Sequence, residues 1–268
     1  MSGALENFGM NFSNFDLNNR LSRLKSMSLQ DRQSTVQRLT QCLPQQYLPW
    51  PYGMPLSADS SVVIVGASPG NSPDPAEKTK NSDYDGPTFG KAHPGFFYDD
   101  TKSYWQKVCS LCSAVVQVAN PNLAEEDALA LSGHLNLGTG QSGTATDAVV
   151  NDQILAWVSN LLGSVLSADV VITFGINGIL TKHKYNSAWN EVPGALKLNW
   201  KNPHKVYPFQ NYSFRVWDMK RSDGRSVMVC MWPNHPSRHP FTGTADGSLW
   251  KESLAAFQAI LQSHVSAA

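Results

Sequence analysis

Four short apolar runs alternate along the chain with longer stretches in which apolar residues recur three and four positions apart. The apolar runs lie at 61–66, 134–137, 169–175 and 225–231. Short apolar runs that stop at glycine or a polar residue are typical of strands buried on both faces of a parallel sheet. The helical spacing predicts amphipathic helices at 101–118, 147–166 and 248–264.

This alternation of strands and helices predicts an α/β fold, namely a three-layer α/β/α sandwich around a central, mainly parallel four-stranded sheet. We assign residues 58–268 to this domain and residues 1–57 to a helical N-terminal extension, with a helix N-cap at Ser28. Residues 181–221 form a predicted basic and aromatic insertion, which has no clear periodicity as far as residue 215.

The net charge of the 268-residue chain is zero, but the charge is unevenly distributed. Ten lysines and arginines and three acids fall between residues 178 and 241, a local charge of +7, so the remainder carries −7. Basic charge beside aromatic residues indicates a nucleic-acid surface, although a solvated basic face over ordinary core aromatics fits the composition equally well.

No apolar run reaches the ~18 residues of a membrane span, and the first 30 residues lack the pattern of a signal peptide. We therefore expect a cytoplasmic protein with no membrane partner and no obligatory protein partner. Four cysteines are too few for a disulfide scaffold. Cys109 and Cys112 have metal-ligand spacing but no second pair, so we interpret them as core thiols and predict no metal site.

Three loops follow predicted strands and carry the polar chemistry of the chain. Their sequences are GASPGN at 66–71, LNLGTGQSG at 135–143 and WPNHPSRHPF at 232–241. In open α/β sheets, ligands bind outside the carboxyl ends of the strands, so we expect the three loops to meet at one edge. The first loop lacks the GK[ST] of a phosphate loop.

In this order, the three motifs resemble those of the uracil-DNA glycosylase superfamily over about residues 60–265. VVIVGASPGN resembles the water-activating motif of that family, and HLNL resembles the segment in which an asparagine reads the base edge. NHPSRHPF resembles the loop that carries the catalytic histidine. The resemblance implies base flipping from DNA and calls for no cofactor or metal.

The resemblance also implies roles for individual residues. His235 would stabilise the departing base anion, as an oxyanion site does, and Asn136 would bind the edge of a pyrimidine. The backbone of the first motif would hold a water molecule or the base carbonyl through Gly66, Ala67 and Gly70. The DNA-contacting residues of the last motif would be Pro236, Ser237, Arg238 and His239.

The resemblance further implies an aromatic residue between the first motif and its helix, where the family places one that stacks on the flipped base. FFYDDTKSYW resembles the mismatch-specific branch of the family, in which a phenylalanine stands eight positions before a helical tryptophan, and this resemblance makes Phe97 the favoured residue. Phe89 in GPTFG is the alternative.

The first motif departs from the family at the positions that usually carry an acid or an asparagine. Ala67 and Ser68 occupy these positions, and a serine cannot act as a carboxylate base. Asn71 or Asp74 would then position the water, or the enzyme would rely on stabilising the leaving base. Ser68 stays a candidate catalytic residue by its position in the motif.

The sequence leaves three functional hypotheses. The first is a monofunctional DNA glycosylase for a non-canonical or modified pyrimidine, such as the glucosylated hydroxymethylcytosine of phage DNA, which would make the protein antiviral; a uracil repair enzyme is the alternative. The second is a non-catalytic DNA-binding module on a degenerate glycosylase fold. The third is an unrelated hydrolase or nucleotide-binding enzyme that uses the glycine-rich stretch 138–143.

Overall fold

A computed structural model provides the fold. It describes residues 12–28, 31, 57–66, 103–139, 149–150, 152–176, 180–181, 183–191, 193–236, 240–241 and 247–265. The backbone alone is described at residues 14–15, 103–105, 136, 138–139, 149–150 and 183–184.

The main sheet of the described chain has six strands in the order β2-β1-β5-β8-β7-β6. Four neighbouring strands run parallel: β2 (Ser132–Asn136), β1 (Val62–Gly66), β5 (Val170–Thr173) and β8 (Ser226–Met231). Two antiparallel strands extend the sheet beyond β8: β7 (Tyr212–Lys220) and β6 (Lys205–Phe209). The fold is therefore α/β with a mixed sheet that has six strands in the described chain, and a sheet of only four strands is not confirmed.

A separate two-stranded ribbon follows β2. It pairs β3 (Gly138–Thr139) with β4 (Val149–Val150) in antiparallel register. The glycine-rich stretch 138–143 therefore begins in a strand, and its residues 140–143 lie outside the described part of the chain.

The helices of the described chain are α1 (Asn14–Ser26), α2 (Ser103–Ala119), α3 (Glu125–Ala130), α4 (Asp152–Asn160), α5 (His183–Asn190) and α6 (Ser248–Val265). A π-helical turn, Leu161–Val165, continues α4. The predicted helices at 101–118 and 248–264 correspond to α2 and α6, each within two residues at both ends.

Helices cover both faces of the sheet. Alternate residues of the buried strands therefore belong to two separate cores, one on each face. Val62 and Ile64 pack with residues of α1, α2, α3 and α6. Val63 and Val65 pack with residues of α4 and α5. A strand buried on both faces needs apolar residues at every position, which explains the continuous apolar runs.

The prediction of irregular structure up to residue 215 is wrong, because this segment contains α5, β6 and the first four residues of β7. Its tryptophans form part of the core. The rings of Trp189 and Trp200 meet edge to face at 5.1 Å, and Trp217 lies 5.4 Å from Trp200. All three are buried. These tryptophan side chains stabilise the core that Val63 and Val65 form with α4 and α5, and they are not exposed to a nucleic acid.

The described part of the N-terminal extension packs against the sheet through α1. Ser13 caps this helix by accepting a hydrogen bond from the Asp16 amide at 3.3 Å. Arg20 is buried and donates to Ser61 Oγ and Asp169 Oδ2, both at 2.8 Å. The domain boundary at residues 57–58 stays a prediction.

Three cysteines, Cys109, Cys112 and Cys230, are buried free thiols, as expected for core residues. Burial raises the pKa of the Cys112 thiol to about 12. Within the described ranges, no group of three or more histidine, cysteine or acidic residues lies close enough to hold a metal ion. No helix in these ranges is long and apolar enough to cross a membrane.

Candidate active site

The parallel strands bring two of the three motifs together at the carboxyl edge of the sheet. Gly66, the last residue of β1, pairs with Asn136, the last residue of β2. On the other side of β1, Val65 pairs with Thr173, which in turn pairs with Met231 at the end of β8. The strand ends that precede the first and third motifs are therefore separated only by β5.

The contact between β1 and β2 continues one residue past the paired ends, because the Leu137 amide donates to the Gly66 carbonyl at 3.0 Å. This bond fixes the backbone of position 136 beside position 66. The Asn136 side chain lies outside the described residues, so its predicted contact with a base stays a prediction.

The third motif leaves β8 through a buried aromatic anchor. We call residues 232–236 the histidine segment. Trp232 is fully buried, and its ring meets Phe214 at 4.9 Å and Phe174 at 6.2 Å, both edge to face. The Asn234 side chain accepts a hydrogen bond from the His235 amide at 2.8 Å. These contacts fix the chain on both sides of Pro233.

The imidazole of His235 is half-buried against the end of β5. Its ring lies 6.3 Å from the Phe174 ring in an edge-on arrangement. Gly175 follows Phe174 with φ +65°, and a Cβ at this position would lie 3.3 Å from His235 Cδ2. Glycine therefore serves two needs here, a left-handed backbone and close approach of the imidazole.

A second histidine lies within electrostatic reach of His235. His134 is buried on β2, beside Ile64 of β1. Burial, together with the charge of His235, lowers the pKa of His134 to about 3. His134 is therefore neutral at physiological pH. Its burial agrees with the prediction of a structural histidine, and its coupling to His235 was not predicted.

The sequence analysis missed Lys107, which connects α2 to the histidine segment. This lysine is fully buried, and its Nζ donates to the Pro236 carbonyl at 2.9 Å and to the Phe241 carbonyl. The Nζ also lies over the Trp250 ring, 5.9 Å from its centroid. Burial lowers the pKa of Lys107. A signal for this role exists, since Lys107 stands four residues before buried Leu111 and so on the apolar face of α2.

The structure brings Gly66, position 136, His235 and Pro236 to the same edge of the sheet. The remaining predicted site residues lie outside the described part of the chain: Ala67, Ser68, Gly70, Asn71, Asp74, Phe89, Phe97, Ser237, Arg238 and His239. Their predicted roles in water activation, base stacking and DNA contact stay predictions.

The described edge offers an imidazole that lies against Phe174 and Gly175, at the end of β5. An imidazole can carry a proton near neutral pH, or donate to an anion that develops during a reaction. Comparison of the chain with protein-family models, with curated proteins and with solved structures found no match in any of the three.

Proposed function

We propose that the protein is a monofunctional DNA glycosylase for a non-canonical or modified pyrimidine. The observation that carries this proposal is the position of His235, which lies against Gly175 at the carboxyl edge where β1 ends in Gly66. The strand order β2-β1-β5-β8 gives the motifs for base reading and base expulsion a common edge. This supports a four-stranded parallel core of the uracil-DNA glycosylase type, to which β7 and β6 are added.

The reaction proposed is hydrolysis. The bond between the sugar C1′ and the base nitrogen breaks, the base departs with the electron pair, and water supplies hydroxyl to C1′ and a proton to the base. His235 stabilises the negative charge on the departing base, a type of interaction that is strongest where water is excluded. Asn71 or Asp74 positions the water. The product is DNA with an abasic site and a free base.

The proposed substrate is a pyrimidine larger than uracil, such as glucosylated hydroxymethylcytosine of phage DNA. Ala67 and Ser68, in place of an acidic or amide side chain, support this choice because small side chains leave more room beside the base. The enzyme would then act against phage DNA in the cytoplasm. The uracil repair enzyme is the alternative.

The test is product analysis with the full-length protein. Duplexes that contain uracil, hydroxymethylcytosine, glucosylated hydroxymethylcytosine or only ordinary bases are incubated, and released bases are identified by mass. Alkali treatment converts each abasic site into a strand break. We expect release of the glucosylated base, and loss of most of this release in His235→Ala. The exposed His204→Ala is the matched control and retains it.

The outcomes separate the hypotheses. Release of uracil alone would replace the modified-base proposal with the repair alternative. Salt-sensitive DNA binding without any released base would favour the non-catalytic module, for which the absent acid of the first motif is the supporting observation. No binding and no release would refute both DNA hypotheses.

A further inference from the structure

We propose that Lys107 is a positioning residue that sets the place of His235 through the backbone of the histidine segment. The consequence for catalysis rests on the proposed glycosylase function. The consequence for the position of His235 does not.

The first support is the identity of the two acceptors. Lys107 Nζ binds the carbonyl of Pro236, the residue directly after His235, and the carbonyl of Phe241 further along the chain. One ammonium group therefore holds two points of the third motif together. Helix α2 precedes this motif by more than 100 residues, so the bonds join parts of the chain that are remote in sequence.

The second support is the rigidity of the lysine itself. Lys107 is fully buried, and a buried ammonium must keep its hydrogen bonds because nothing else compensates for its lost hydration. The Trp250 ring covers the Nζ at 5.9 Å, and this ring is fixed by a hydrogen bond from its Nε1 to Ser110 Oγ at 2.9 Å. Ser110 lies on α2, so the same helix carries Lys107 and the hydroxyl group that holds the Trp250 ring over it.

The third support is the close fit of the imidazole against the end of β5. His235 lies against Phe174 and Gly175 at the end of β5. The end of β5 therefore limits the ring, and the carbonyl held by Lys107 belongs to the next residue of the chain. A displacement of Pro236 is transmitted to His235, because the two share a peptide bond.

The experiment compares three full-length variants. Lys107→Met keeps much of the volume and removes the donor, and Lys107→Gln keeps an N–H donor without the charge. Val115→Ala is the matched control, since it removes buried apolar contacts from the same helix about two turns beyond Lys107. Each protein is labelled at its histidines for NMR, and kcat, KM and the thermal midpoint are measured.

In Lys107→Met we expect the His235 ring signals to move while those of His264, at the far end of α6, stay in place. We expect kcat to fall roughly 10²-fold with a smaller change in KM, since small displacements of a reacting group have effects of this size. Val115→Ala is expected to lower the thermal midpoint without moving the His235 signals. Lys107→Gln is expected to lie between Lys107→Met and the wild type.

The proposal is overturned if Lys107→Met moves the His235 signals no more than Val115→Ala does. If Lys107→Met does not fold, the same comparison is made with Lys107→Gln. If the wild type releases no base, the glycosylase proposal fails, and the NMR comparison alone decides the role of Lys107.

Discussion

The imidazole of His235 lies against the backbone of Gly175, so close that a methyl group at position 175 would come within 3.3 Å of its Cδ2 atom. The left-handed backbone at Gly175, φ +65°, lets the chain turn away from β5 and leaves the space above it for the ring. The position of the candidate catalytic group is therefore coupled to the conformation of one glycine.

The first prediction concerns Gly175→Ala. The left-handed backbone alone costs roughly 1–2 kcal/mol for an alanine. The added methyl group also presses on His235, so we expect displaced His235 signals and a loss of base release beyond the loss of stability. Urea unfolding, histidine NMR and base release measure the three effects.

Gly224→Ala is the control for this prediction. Gly224 has φ +83°, and a Cβ there would meet nothing within 4 Å. The variant therefore carries the backbone penalty without a steric contact. Equal effects of the two substitutions on the His235 signals would show that the contact at position 175 has no influence on the ring.

The second prediction concerns the pH dependence that arises from His134. Its pKa of about 3 in the folded protein lies below the ordinary value near 6.5, so between these values the unfolded chain binds the proton and the folded chain does not. Stability is therefore present above the unfolded pKa and falls as the pH is lowered towards 3. Each pKa unit corresponds to about 1.4 kcal/mol.

Urea unfolding between neutral and acid pH tests this effect. We expect the slope of stability against pH to be smaller in His134→Gln than in the wild type, because glutamine does not titrate. Histidine NMR gives a direct check, since the His134 ring is expected to stay neutral at a pH where an exposed histidine is protonated. Parallel slopes in the two proteins would contradict the assignment.

The third prediction concerns the buried ion pair between Arg20 and Asp169. Arg20→Met leaves the Asp169 carboxylate buried without its partner, a change that typically costs roughly 3–5 kcal/mol. Burial raises the pKa of Asp169 to about 6 even with Arg20 beside it. In the variant, the carboxyl group can bind a proton, so we expect a smaller loss of stability at pH 5 than at pH 8, values on either side of about 6.

Arg23→Met provides the comparison on the same helix. Arg23 is more than half exposed and pairs with Asp59 at 2.6 Å, and exposed pairs of this kind contribute about 0–1 kcal/mol. Chemical unfolding of both variants measures the difference. The double variant Arg20→Met/Asp169→Asn is expected to regain part of the stability, and a further loss there would argue against the ion-pair explanation.

The parts of the fold that were predicted from sequence are those with an unambiguous burial pattern. The strands β1, β5 and β8 are buried at every position, so their apolar runs have no other simple interpretation. The edge strand β6 is exposed at three of its five residues and contains Pro208. The sequence of such a strand shows neither an alternation of apolar and polar residues nor a continuous apolar run, which explains why the β6–β7 hairpin was missed.

For the candidate site, the sequence indicated the segments that carry candidate residues, but not the side chains that hold these segments in place. His235 was found because its motif follows a recognisable strand. Lys107 was missed because a single lysine in an amphipathic helix is normally solvent-exposed, and its burial depends on carbonyl groups more than 100 residues away in the sequence. The coupling of His134 to His235 depends in the same way on neighbouring strands that are distant in the chain.

The strand order also has a consequence for how the protein is made. Val62 of β1 pairs with Ser132 and with Val170, which lie about 70 and 110 residues further along the chain. The second neighbour of β5 in the sheet is β8, which begins only at Ser226. Such distant pairings are slow to form, because long loops must close before any contact is gained. A growing chain on the ribosome therefore has no complete parallel edge until β8 has been synthesised. We expect the apolar strands of the nascent protein to be exposed to chaperones until the residues of β8 emerge.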